Sequence, residues 1–116
     1  MVIIIEEGKI KELANIFQIL SEENRIKILF SLKDEALSVS EIIKRTGLSQ
    51  PLVSFHLKTL REAKLVNKYR ESTFVFNKIC NKEIVDLINE FSKFIKNRKG
   101  KSTSKETRFP CPPWNN

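Results

Sequence analysis

Thr46-Gly47-Leu48-Ser49-Gln50-Pro51-Leu52-Val53-Ser54-Phe55-His56-Leu57-Lys58-Thr59-Leu60-Arg61-Glu62-Ala63 is the stretch on which the fold depends. Gly47 supplies the backbone geometry that closes one helix, and Ser49 stands where a side-chain oxygen caps the next. Pro51 falls in the first turn of that helix, where a missing N–H costs nothing. Leu52, Val53, Leu57 and Leu60 give it an apolar side, and it runs to about Ala63. Upstream, Ser40 is the expected cap of a short helix through Glu41, Ile42, Ile43 and Lys44. Two short helices joined tightly at a glycine follow from this spacing.

Working outward, Ile10, Leu13, Ile16, Phe17 and Leu20 repeat at the three-to-four interval of an amphipathic helix. Ser21 is the expected cap of a second helix, with Glu22 and Glu23 in its first turn and Ile26, Leu29, Phe30 and Leu32 on its apolar face. Lys33 to Ala36 reads as a loop, and Leu37-Ser38-Val39 alternates like a very short strand. After Lys64 the period changes to two. Leu65–Arg70 and Thr73–Lys78 are rich in aromatic and β-branched residues and flank Glu71-Ser72, which predicts a β-hairpin. Ile84, Leu87, Ile88, Phe91, Phe94 and Ile95 mark a fifth helix whose apolar stripe is too long to leave in water. The expected class is therefore mainly α with a small β-hairpin wing. One domain spans residues 1–97, and a basic, flexible tail spans residues 98–116.

The chain has 116 residues and a net charge of +7, and such an excess of Lys and Arg favours a polyanionic partner. Between Lys96 and Arg108, however, six basic residues face only Glu106, so most of that excess belongs to the tail. The apolar run Val2 to Ile5 ends at Glu6, far short of the roughly 20 residues that cross a bilayer. No secretion signal is evident, which leads to the expectation of a cytoplasmic protein without a membrane partner. One histidine and two distant cysteines give no acid, base and nucleophile cluster, so an enzyme is not expected, nor is a bound cofactor.

A helix-turn-helix followed by a hairpin is a winged helix-turn-helix arrangement, whose second helix enters the DNA major groove. Gln50, Ser54, Lys58 and Arg61 fall at spacings of four, four and three, forming a polar stripe opposite the leucines. Gln and Ser can read base edges there, while Lys and Arg meet phosphate or guanine. Phe55 adjoins the stripe and could touch a thymine methyl. The residues assigned to DNA are thus Ser49, Gln50, Pro51, Ser54, Phe55, His56, Lys58 and Arg61, with Lys68 and Arg70 near the wing tip. His56 is read as a packing or phosphate-contacting residue rather than a metal ligand.

The runs Ser21-Glu22-Glu23-Asn24-Arg25-Ile26-Lys27-Ile28-Leu29, Leu37-Ser38-Val39-Ser40-Glu41-Ile42 and Thr46 through Val66 resemble the ArsR-type family of repressors. The resemblance covers about residues 10 to 95. It implies a homodimer paired through the first and fifth helices, with Leu13, Ile16, Phe17, Leu20, Ile84, Leu87, Ile88 and Phe91 at the contact. It also implies an inverted-repeat operator in double-stranded DNA and an effector that lowers affinity. Many relatives place thiolates where this chain has Ser38 and Ser40. A second familiar metal site needs histidine in the fifth helix, which offers only the carboxylates Asp86 and Glu90, so no metal site is expected. Ser72 replaces the usual wing-tip glycine. Cys80 and Cys111 could form a thiol switch if the tail folded back. The competing expectation is a winged-helix module for protein–protein contact in a larger assembly.

Overall fold

The computed structural model describes residues 6–95, which hold five α-helices and one two-stranded antiparallel sheet. The order is α1 (Glu7–Leu20), α2 (Glu23–Ser31), α3 (Val39–Thr46), α4 (Gln50–Glu62), β1 (Val66–Glu71), β2 (Phe74–Ile79) and α5 (Glu83–Phe91), followed by a single 3₁₀ turn at Ser92–Phe94. Two compact units are distinguishable, one ending at Asn81 and the other beginning at Lys82.

The core of the first unit gathers Ile28, Leu29 and Leu32 from α2 and its end, Leu37 from the following loop, and Ile42 from α3. Val53, Leu57 and Leu60 from α4 and Val66 and Ile79 from the hairpin complete it. By contrast α1 buries no residue, and among the described residues of the second unit only Val85 of α5 is buried.

Two helix starts differ from the sequence expectation. Ser21 ends α1 rather than opening α2, its hydroxyl donating to the Gln18 carbonyl at 2.7 Å. The cap of α2 is Glu22, whose carboxylate accepts from the Asn24 N–H at 3.2 Å. Likewise α3 starts at Ser38, not Ser40: the Ser38 hydroxyl accepts from the Glu41 N–H at 3.2 Å, and the Glu41 carboxylate accepts from the Ser38 N–H at 2.9 Å. This reciprocal capping box requires an acid three residues after the cap, which Ser38 has and Ser40 lacks. Only Leu37 of the expected short strand pairs, as an isolated bridge to Asn77. The apolar stripe after Asn81 also divides, with the α-helix stopping at Phe91 and tightening into the 3₁₀ turn.

The hairpin register pairs Val66 with Ile79 and closes at Glu71 with Phe74, so Ser72-Thr73 is the turn, one residue later than expected. Ser72 takes φ +63°, the left-handed conformation that a two-residue hairpin turn demands of its first central residue.

Candidate nucleic-acid interface

The α3–turn–α4 unit is fixed by local hydrogen bonds. Gly47, at φ +76°, donates its N–H to the Ile43 carbonyl at 2.8 Å and terminates α3. The Thr46 hydroxyl donates to the Ile42 carbonyl at 2.8 Å and accepts from the Leu48 N–H at 3.2 Å. Ser49 then caps α4, accepting from the Leu52 N–H at 3.4 Å, with Pro51 in the first turn. The roles of Gly47, Ser49 and Pro51 were expected from the sequence; the two Thr46 bonds were not.

Around α4 the buried positions are Val53, His56, Leu57 and Leu60. At 100° per residue these define one side, and Pro51, Phe55, Lys58 and Glu62 point most nearly opposite. Ser54, Arg61 and Gln50 follow one another round one flank of that outward face, Ser54 and Gln50 exposed and Arg61 half-buried between them. Leu52 and Phe55 occupy the other flank and the centre, with 41% and 57% of their surface exposed. Lys58 reaches Glu62 at 3.6 Å, an exposed pair of little stabilising value.

One assignment changes and one is narrowed. Leu52, expected on the apolar side, lies on the surface, and His56, read as a packing or phosphate-contacting residue, is only 5% exposed and so packs rather than faces the groove. His56 belongs to the core because Arg25 of α2 satisfies it: the guanidinium Nε donates to His56 Nδ1 at 3.2 Å. A second Arg25 nitrogen donates to the Ile19 carbonyl at 3.1 Å, so one side chain links the end of α1, α2 and the underside of α4. Arg25 was not singled out in the sequence, since its partner is distant in the chain.

The wing leaves α4 directly, with the Leu65 N–H donating to the Leu60 carbonyl at 3.0 Å. Alternation in β1 places Lys68 and Arg70 on the strand face shared with buried Val66, and both are exposed. The opposite face carries an aromatic row in which Tyr69 and Phe76 lie 5.6 Å apart and Phe74 and Phe76 6.3 Å apart. Asn77 also escaped the sequence reading. It is buried, exchanges backbone hydrogen bonds with Leu37 at 2.7 and 2.9 Å, and adds a side-chain donation to the Leu37 carbonyl at 3.2 Å. The wing is thereby pinned to the residue before the cap of α3.

Among the described residues no group of three or more His, Cys, Asp or Glu side chains is placed to hold a metal ion. Ser38, where relatives of the expected family place a thiolate, has its hydroxyl engaged as a helix cap. Cys80 is an exposed free thiol, and Cys111 lies outside the described residues, as does the whole expected tail. No described helix is long and apolar enough to cross a membrane.

A glycine-closed helix pair whose second helix presents a solvent-facing surface, followed directly by a basic hairpin, defines a winged helix-turn-helix DNA-binding protein. The family described as bacterial regulatory proteins of the arsR family matches residues 22–68. The transcriptional repressor SdpR of Bacillus subtilis is 30% identical over 81 residues, covering 70% of this chain and 90% of that protein. The regulator KmtR of Mycobacterium tuberculosis is 36% identical over 73 residues, which are 63% of this chain but 56% of KmtR. The homodimeric winged helix-turn-helix domain of Mb0332 from Mycobacterium bovis superposes with a TM-score of 0.69 over 87% of this chain and 99% of that one, at 20% identity. The chain belongs to the ArsR family of transcriptional regulators.

Proposed function

We propose that the chain is a homodimeric repressor that binds an inverted-repeat operator, each copy placing α4 in a major groove and its wing on the flanking backbone. One observation carries this reading: the outward surface of α4 is free of any core duty while the helix beneath it is rigidly capped and packed. Gln50 and Ser54 then face base edges, Lys58 and Arg61 face phosphate or guanine, and Lys68 and Arg70 of the wing meet phosphate. Leu13 and Phe17 of α1 and Leu87 and Phe91 of α5 are exposed apolar side chains suited to pairing with a second copy.

Gel-shift titration against DNA from the upstream region of its own gene tests the reading. Affinity should fall steeply with salt, and joint Lys58→Ala and Arg70→Ala substitution should weaken binding and lower the salt slope by about two, one for each lost phosphate contact. Unchanged affinity in the double variant would refute this docking surface. Light scattering on the same preparation should give the mass of a dimer.

A further inference from the structure

We infer that the first two turns of α4 read thymine through its C5-methyl group, with Phe55 as the principal contact and Leu52 beside it. This rests on the DNA-binding reading above and specifies what that surface recognises. Phe55 points close to the middle of the outward face of α4 and is more than half exposed, and Leu52, three residues earlier, is exposed on the same flank. Side chains three apart on a helix are neighbours, so together they present a continuous apolar patch. The ring of Phe55 meets the buried His56 ring edge-on, with centroids 5.2 Å apart, which restrains its orientation before any ligand arrives.

In the major groove the thymine methyl is the apolar group that a base pair offers to such a patch. Residues 50–57 contain no Arg or Lys, so this end of the helix lacks the usual reader of guanine O6 and N7. Gln50, exposed on the opposite flank, has the amide that pairs with adenine N6 and N7. The two flanks therefore match the two halves of A·T pairs, and cations enter only at Lys58 and Arg61, further along the helix. The core half-site is thymine-rich, and its discrimination comes from apolar contact more than from charge.

The test uses the full chain and a randomised duplex pool. Sites selected for salt-resistant binding should share thymines, and each thymine is then replaced singly by deoxyuridine, which removes only the methyl group. Wild-type protein should lose about four-fold in affinity at one or two positions per half-site, the value of burying one methyl. Cytosine at the same positions should bind better when 5-methylated. Phe55→Ser, a surface change that leaves the core intact, should bind thymine and uracil duplexes equally while retaining its salt dependence. Equal affinity of the wild-type protein for thymine and uracil at every position overturns the inference while leaving DNA binding in place, as does undiminished discrimination in Phe55→Ser. A pool that yields no enriched site overturns both this inference and the function on which it rests.

Discussion

Gly47 and Ser72 hold almost the same left-handed backbone angle, +76° and +63°, with different side chains. An L-residue with a Cβ pays about 1 kcal/mol or more for that conformation, and glycine does not. The two positions therefore respond to substitution with opposite sign. Gly47→Ala should destabilise by about 1 kcal/mol from backbone strain alone, since no atom lies within 4 Å of the added Cβ. Ser72→Gly should stabilise by up to about 1 kcal/mol, giving a rise of several degrees in melting temperature by calorimetry. At Arg25 the stake is a buried acceptor. Arg25→Ala leaves His56 Nδ1 without its donor and should cost about 1–3 kcal/mol in denaturant titration, although Arg25 itself would touch no DNA base.

At the scale of the element, α3 depends on its first turn. Ser38→Ala removes half of the capping box and should cost about 1 kcal/mol, whereas Ser40→Ala, at an exposed first-turn position, should be nearly neutral. Comparing the two by chemical denaturation checks which serine opens the helix. The same pair shows what local sequence can reveal. The Gly47 turn, the Ser49 cap, Pro51 and the hairpin were legible because each is set by residues within a few positions of one another. The cap of α3 was misplaced because two serines compete, and the decisive signal, Glu41 three residues after Ser38, lies in their spacing. Periodicity put Leu52 on the apolar side and left His56 between packing and phosphate contact, because what decides the matter lies outside the helix. A polar ring becomes buriable when a donor arrives from Arg25, 31 residues away in the chain. Asn77 was hidden in the same way, its partner Leu37 lying 40 residues earlier.

For the whole molecule, the proposed function depends on joining two copies. Leu87 is exposed on α5, so Leu87→Glu should leave the fold intact while placing a charge in the proposed contact. The expected result is a monomer by light scattering and a loss of operator affinity well beyond ten-fold, because the second half-site no longer adds to the first. A dimer of unchanged affinity would place the contact elsewhere. The bridge between Leu37 and Asn77 has a consequence for time as well as for shape. It fastens the hairpin at the third of its six rungs, counted from the base. Amide protons below that rung should exchange with solvent only when the helical core opens. Those between Tyr69 and Phe76 should exchange through local fraying, and so much sooner. The wing is thus a short lever clamped partway along its length, its outer half left to adjust to the DNA backbone it is proposed to meet while its inner half is tied to the residue before α3.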